Sequence, residues 1–478
     1  MKLSNDGTKR VREAFQSADL GDPRRKRRLD RIVTRLAKKP SASLPDAMVD
    51  EADLEGLYRF VNNDAVDAQE LVSAYARKTA ERARKAGRVI VIHDTTTCMP
   101  PRGAAEDVGY LSTGKAGFFA HVSLVLDGAT WKRPLGVVNL ETISRKEPSK
   151  RARRSKASGA ETAKWKDRES DRWHRGVENS SEILGGCKEV VHVADREADS
   201  YALLASMVAK GRSFVVRVEP ARMVADSVDP EAERVQLQEH LGDAAGVLER
   251  TIKLTPRKAS TAPRENKAHP PRGAREATLV FASKKAVLRR PRYLRDPIPE
   301  TLELNVVRVW EPNPPDGLPP VEWLLLTTLS THSKAKVAEV VDIYRARWTI
   351  EEFNKALKTG CAYESREFET LPALLTMLAL SLPIACELLW LRSRARSHPD
   401  APVTEVLSPQ QVRVLRAMGS RPLPKNPSAR DGLLAVAGLG GHLKRNGDPG
   451  WEVLHRGWKQ LLAYEEGWKA ALRAQRKM

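Results

Sequence analysis

A mixed α/β core set between two helical segments is the fold class that this 478-residue chain predicts. Three patterns carry it. Apolar runs in the first half read as three successive strands and then as strand–helix–strand, the mark of a mixed sheet. The stretch before them repeats apolar residues at helical spacing. After Leu371 the chain is leucine-rich and helical to its end. The length allows two to four domains with ample core. With 41% hydrophobic and 30% charged residues it belongs with soluble globular chains, not disordered ones.

The elements follow in order. Asp22-Pro23 before RRKRRLDRIVTRLAKK predicts a capped helix start. Leu29, Ile32, Val33 and Leu36 form its buried stripe, while Arg24, Arg28, Arg31 and Arg35 line another face. Lys39-Pro40 and SASLPDA read as a loop, and a second helix carries residues 55–60. Strand runs then fall at Arg88–Ile92, ending at His93-Asp94, at Phe118–Leu126 and at Leu135–Leu140. A polar stretch with Trp165 and Trp173 reads as helical. A strand at Val190–Ala194 ends at Asp195, followed by a helix (Tyr201–Lys210) and a strand (Phe214–Val218). Residues from about 219 to 320 are rich in proline and basic side chains, with short strand candidates at Ala277–Phe281 and Leu302–Val309. They read as a β-rich insertion before a buried strand resumes at Trp323–Thr328.

Charge narrows the partner. The net charge of +20 is concentrated: +8 in residues 1–39, +6 in 144–156 and +11 in 251–295, leaving the remainder at −5. Basic patches on a mildly acidic body fit a polyanion, since they gain affinity by displacing counterions from phosphates. Other classes are disfavoured. The N-terminus has no apolar leader. Leu374–Leu391 barely reaches spanning length and carries Pro383 and Glu387, so a buried kinked helix is expected and no membrane partner. Cys98, Cys187, Cys361 and Cys386 show no paired spacing, which fits a reduced cytoplasmic compartment. The glycine runs lack a phosphate-loop lysine, so no nucleotide cofactor is expected.

The chemistry concentrates in KVAEVVDIYRARWTIEEFNKALKTG, residues 336–360. Ile343, Ala346, Ile350, Phe353 and Leu357 make one apolar helix face. Tyr344, Arg347, Glu351 and Lys358 fall within roughly 60° of arc on another, at about 100° per residue, with Lys355 beside them. Alone this could be surface ion pairing, since Arg347 and Glu351 stand four residues apart. But Asp94 and Asp195 each end an apolar strand run, where open α/β sheets place ligands. Two such aspartates and a helix glutamate could converge on Mg²⁺ or Mn²⁺. A pair of these ions suits in-line phosphodiester displacement.

HDTTT at 93–97, VADREAD at 193–199 and the Tyr344, Arg347, Glu351, Lys358 spacing resemble the catalytic blocks of bacterial cut-and-paste DDE transposases. The last is similar to the YREK signature of the insertion-sequence-four family, the family of the Tn-five transposase. LGDPRR (20–25), LYRF (57–60), GFFAHVSLVLD (117–127), FVVRV (214–218), EWLLLTT (322–328) and LGGHLKR (439–445) agree in the same order. The resemblance implies an RNase H-like core over residues 71–370 (insertion about 219–320). A helical DNA-end-binding domain (1–70) and a helical dimerisation domain (371–478) would flank it. It implies that Asp94, Asp195 and Glu351 bind two divalent ions. Cleavage of transposon ends, through a hairpin, and joining of the 3′-hydroxyl to target DNA would follow, in trans within a homodimer. By the same resemblance Tyr344, Arg347 and Lys358 grip phosphates beside a flipped base and Trp323 stacks near the hairpin. Arg217 and Lys355 are further contacts, and Arg25 and Arg28 read the end sequence. The expected setting is the bacterial cytoplasm, at the nucleoid. Two departures stand out: His93 occupies a position where a glutamate is familiar, and Asn354 one where a histidine is. Two other readings share these residues, a nuclease or resolvase without strand transfer and a non-catalytic DNA-binding inhibitor.

Overall fold

A computed structural model describes residues 5–101, 107–111, 113–130, 133–145, 171–254, 256–257, 270–443 and 447–475. Trp165, most of the basic stretch 144–156, and residues 258–269 lie outside them.

The chain opens on helices Asn5–Ala14, Pro23–Lys38, Leu44–Ala47, Glu51–Val61 and Ala68–Ala86. Asp22 caps the second, its side chain accepting from the Arg24 N–H at 2.7 Å. Leu29, Ile32, Val33 and Leu36 are all buried. The SASLPDA stretch is not a plain loop. Ser43 accepts from the Asp46 N–H and Pro45 sits in the first turn, and together they hold the one-turn helix Leu44–Ala47.

Eleven strands follow among the described residues: β1 (Arg88–Cys98), β2 (Phe118–Asp127), β3 (Pro134–Ile143), β4 (Glu189–Ala194), β5 (Ser213–Arg217), β6 (Met223–Val224), β7 (Val235–Gln236), β8 (Leu248–Leu254), β9 (Arg275–Arg289), β10 (Thr301–Trp310) and β11 (Glu322–Thr327). Nine form one sheet in the order β3-β2-β1-β4-β5-β11-β10-β9-β8, and β6 pairs with β7 apart from it. β1 runs antiparallel to β2, and β2 to β3, whereas β4 and β5 run parallel to β1. That five-strand arrangement, with helix Tyr201–Ala209 carrying β4 to β5, is the RNase H-like core. The insertion is not a separate body. Its strands β8, β9 and β10 extend the same sheet, and the chain rejoins the core when β11 pairs antiparallel with β5.

The expected single helix over 336–360 is broken. Helix Lys334–Ala346 ends at Arg347, helix Trp348–Lys355 follows, and residues 356–360 form a π turn. The Arg347 N–H reaches back three residues to Tyr344 O at 3.0 Å, while the Cys361 N–H reaches back five to Ala356 O at 2.8 Å. One overwound turn and one underwound turn flank the segment bearing Glu351. Helices Leu371–Ser397, Pro409–Met418, Ala429–Leu439 and Trp451–Gln475 complete the chain. The apolar Leu371–Ser397 helix meets the length and hydropathy of a membrane span, but 89% of its apolar 18-residue window is buried inside the fold. One contiguous apolar cluster runs from Val11 through β1 and Phe353 to Leu461, joining both helical ends to the core.

Candidate active site where β1 and β4 part

Asp94 was expected at a strand end, yet β1 continues to Cys98. Two ladders explain this. On the β2 side pairing runs on through Asp94↔Val122 to Cys98↔Phe118, whereas on the β4 side it stops at Ile92↔Val193. Asp94 therefore has a neighbour on one side only, at the point where β4 gives way to Asp195. Asp195 starts a short 3₁₀ turn, its Oδ1 accepting from the Glu197 N–H at 2.9 Å.

Glu351 comes from the other side. Ile350 and Phe353, both fully buried, pin its helix to the core and leave the carboxylate half-exposed. Arg347 donates from Nη2 to Glu351 Oε1 at 2.9 Å, and Asn354 Nδ2 lies 3.5 Å from Asp94 Oδ2. Burial raises the Asp94 carboxyl to about 7, with the charges of Asp195 and Glu351 adding to the rise; Arg347 and the Thr95 N–H oppose it. Burial by itself lowers the Arg347 pKa, but Tyr344, Glu351, Asp94 and Asp195 outweigh it and leave the guanidinium raised. Arg347 is thus the cation held among the three acids.

Asp195, Glu351, Tyr344, Arg347, Trp323 and Arg217 share the walls of one cleft of about 760 Å³. The Trp323 and Tyr344 rings lie 5.9 Å apart, and Arg347 stacks 6.0 Å from Tyr344 and 5.5 Å from Trp348. Burial raises the Tyr344 phenol. Arg217 donates to Glu322 O at 3.3 Å. Two expected members of the cluster face elsewhere. Lys358, carried round by the π turn, donates to Thr97 O and lies 3.3 Å from Glu364. Lys355 is exposed and pairs with Glu352 at 3.1 Å. Arg25 and Arg28 belong to the distant N-terminal helices. Arg25 donates to Leu20 O at 2.7 Å, and Arg28 lies over Gly56, with Nη1 3.4 Å from Ala52 O. Beside them a basic groove of about 880 Å³ is lined by Lys9, Arg12, Arg27, Arg31, Arg35 and Lys38. Of these, Lys9, Arg12 and Lys38 carry no local pattern that singles them out.

Trp348, Arg196, Arg257 and Arg272 also line the active-site cleft, and sequence reasoning missed them. Trp348 is 54% exposed, an unusual state for an aromatic of its size. Adjacency to Arg347 and Asp195 was the available signal for Trp348 and Arg196. His93 points away from the cleft. Its ring bonds Ser123 Oγ and His192 Nδ1, both at 2.9 Å, and burial lowers the pKa of all three histidines (93, 121 and 192), so they pack as neutral rings. Cys98 is buried with its thiol pushed up to about 12, which leaves it inert.

Among the described residues no three histidine, cysteine or acidic side chains close around an ion as they stand. The donor set nevertheless suits a hard divalent cation. It offers two aspartates, a glutamate and a buried Asn354 Oδ1 with no hydrogen-bond partner beside Asp94.

A strand-edge acid pair facing a helix glutamate across an arginine- and tryptophan-lined cleft, on an RNase H-like sheet, is the class of site that the fold presents. Comparison with known families narrows the class. Residues 9–66 match the transposase DNA-binding family and residues 157–384 the transposase DDE domain family. The chain thus carries a transposase DNA-binding domain followed by a transposase DDE domain. Asp195 and Glu351 lie inside the second match; Asp94 precedes it. Among solved structures, the cryo-EM structure of the piggyBac transposase synaptic complex with hairpin DNA aligns over 82% of this chain and 67% of that one. The identity is 10% and the TM-score 0.35.

Proposed function

We propose that the chain moves a DNA element by binding its terminal inverted repeats, hydrolysing a phosphodiester at each end and joining the freed 3′-hydroxyl to target DNA. The observation that carries the reading is the placement of Asp94 beside Asp195 with Glu351 and Arg347 facing them. On this reading Asp94, Asp195 and Glu351 hold two Mg²⁺ or Mn²⁺ ions. Two such ions, if bound there, would supply activation of the attacking oxygen and stabilisation of the leaving one. Arg347 and Tyr344 bind the phosphates beside the cut, and Trp323 offers a flat face to an unstacked base. Arg217 supports the strand from β5, while Lys355 and Lys358 serve DNA that passes outside the cleft. Arg25, Arg28 and the basic groove beside them bind the repeat.

Finer features belong to the same proposal: membership of the insertion-sequence-four family, a hairpin intermediate, and a homodimer made through residues 371–478. So do domain limits at 1–70, 71–370 and 371–478, and work at the bacterial nucleoid in the cytoplasm. The test uses DNA carrying the repeats that bracket the coding region. Asp94→Ala, Asp195→Ala and Glu351→Ala should each abolish Mg²⁺-dependent nicking while leaving gel-shift binding of the ends largely intact. Normal nicking by any one of them removes it from the triad. Added cut ends and target plasmid should give joined products with the wild type; cleavage without joining would reduce the protein to a nuclease.

A further inference from the structure

The β1–β4 ladder stops at Ile92↔Val193, and both aspartates of the site lie past that point. Asp94 continues along β1, while Asp195 begins the 3₁₀ turn after β4. One side chain spans the gap between them. Arg172, in the first turn of helix Asp171–Ile183, donates from Nε to Thr95 Oγ1 at 2.9 Å and from Nη2 to Glu197 Oε2, also at 2.9 Å. Thr95 follows Asp94 in the chain, and Glu197 gives its backbone N–H to Asp195 Oδ1 at 2.9 Å. The guanidinium therefore holds one neighbour of each acid. Side chains alternate along a strand, so Thr95 leaves β1 on the face opposite Asp94. That face is tightly packed. Thr95 stands across from His121 in the β1–β2 ladder, with Oγ1 3.0 Å from His121 Nδ1. The buried Trp173 sets its ring edge-on to His121 at 4.8 Å, and the Arg172 guanidinium lies 5.7 Å from the same ring. As a salt bridge alone the Arg172–Glu197 contact is worth little, because the Glu197 side chain is 63% exposed. What distinguishes it is the pair of elements it joins.

We propose that Arg172 is a positioning residue that fixes the spacing of Asp94 and Asp195 by bracing, from behind the sheet, the two elements that carry them. This rests on the reading of those acids as ion-binding groups and names a device that serves them. Arg172 is not among the residues lining the cleft, so it acts through its partners and not on the reacting atoms. A planar guanidinium suits the task because its rigid fork holds two acceptors at a set angle, whereas a lysine offers one charge on a flexible stem. Past the end of the ladder no strand pairing sets the distance between Asp94 and Asp195, and the brace supplies that constraint. Outer partners of this kind govern how well a site's ligands are oriented for an ion.

The test titrates the full-length protein with Mn²⁺ and follows the free-ion signal by electron paramagnetic resonance. Binding that Asp94→Ala loses is counted as the site's own. Arg172→Ala should weaken that binding on the order of tenfold, as the loss of an outer partner does. The Mg²⁺ concentration for half-maximal nicking of repeat-bearing DNA should rise by a similar factor, with gel-shift affinity for the ends unchanged. The sign is decisive. Deleting a positive charge near a cation site would by Coulomb attraction alone tighten ion binding, so weaker binding reports lost positioning. Arg175→Ala is the control, since Arg175 lies one turn further along the same helix and pairs with Glu141 on β3 at 3.0 Å. It should keep wild-type Mn²⁺ affinity; an equal loss there would mean general loosening and would overturn the brace. Thr95→Val removes one end of the brace at constant shape and should weaken Mn²⁺ binding in the same direction, which decides the matter if Arg172→Ala does not fold. Wild-type or tighter binding in these variants overturns the brace and leaves the proposed function standing. If wild type and Asp94→Ala bind Mn²⁺ alike, the ion-binding reading falls instead.

Discussion

Asp94 on β1 and Asp195, the first residue beyond the end of the neighbouring parallel strand β4, lie close enough for their charges to interact. Every pair in the β1–β4 ladder joins residues 101 apart, from Arg88↔Glu189 to Ile92↔Val193, and the same offset carried two residues on links Asp94 to Asp195. Parallel neighbours in one register point their side chains to the same side. The two acids are therefore brought together by the sheet itself, before any ligand arrives. Their mutual repulsion is the electrostatic cost of that arrangement, and it makes a cation welcome there.

Burial of Asp94, with that repulsion adding to it, sets a pH dependence. The Asp94 carboxyl is raised from 3.8 to about 7, chiefly by burial. The folded state then binds its proton more tightly than the unfolded chain does. The stability this group contributes is full below about pH 4 and is lost as pH rises through 7. Asp94→Asn removes the ionisation. In EDTA at pH 8 the variant should be more stable than wild type by a few kcal/mol, since each tenfold change in proton affinity is worth about 1.4 kcal/mol. The advantage should be gone by pH 4. Millimolar Mg²⁺ should stabilise wild type at pH 8 and not the variant. Urea unfolding across this range checks it; parallel pH curves for the two proteins would refute the assignment.

Arg347 is the counter-charge that holds the acids together in the free protein, 2.9 Å from Glu351 with an 11% exposed side chain. Arg347→Ala leaves three carboxylates facing one another. Its cost should be about 1–3 kcal/mol in EDTA, below the full figure for a buried pair because Glu351 is a third exposed. Added Mg²⁺ should recover more stability in this variant than in wild type. Thermal melts with and without Mg²⁺ measure both numbers, and an equal Mg²⁺ response would show that Arg347 does not stand in for a cation.

The parts of the site that could be read in the chain were those written locally. RVIVI before Asp94 and VVHVA before Asp195 are apolar runs that stop at an acid, so strand and acid were legible together. The shared register was not, because it spans 101 residues. Lys358 was placed by carrying a 3.6-residue period across residues 356–360, where the π turn breaks that period. The break at Arg347 left no mark either, since its backbone keeps helical angles, φ −52° and ψ −34°. LERTIKL escaped notice as β8 because an edge strand alternates half-buried and exposed residues, and its charged positions hide the apolar ones. Arg257 and Arg272 sat in a basic segment with nothing to rank one arginine above another.

Arg10, in the first helix, grips Glu387 of the long buried helix with Nε at 2.8 Å and Nη2 at 2.6 Å. This ties the DNA-binding end of the chain to its C-terminal half, and the Glu387 side chain is 9% exposed. Arg10→Ala strands that carboxylate in an apolar setting and should cost about 2–3 kcal/mol, discounted because the arginine is itself a third exposed. The double variant Arg10→Met, Glu387→Met should recover most of the loss, since it leaves no buried charge. Equilibrium urea unfolding of the set gives the coupling directly; additive losses would mean the pair is not a working contact.

Helices Ala429–Leu439 and Trp451–Gln475 cross so closely that two glycines make the contact. A Cβ built on Gly457 would fall 1.9 Å from the Val436 carbonyl oxygen, and one on Gly440 would fall 2.0 Å from that of Val453. Both obstacles are backbone, so neither can swing aside. Gly457→Ala should force the helices apart and destabilise the C-terminal region by about 1–3 kcal/mol or more. Gly467 lies on the same helix, and a methyl group added there would meet nothing within 4 Å. At that position alanine should be neutral or stabilise by up to about 1 kcal/mol, through helix propensity alone. If residues 371–478 make the homodimer, Gly457→Ala should also weaken self-association in sedimentation velocity while Gly467→Ala does not. A Gly457→Ala protein as stable as wild type would show that the two helices do not cross at these glycines.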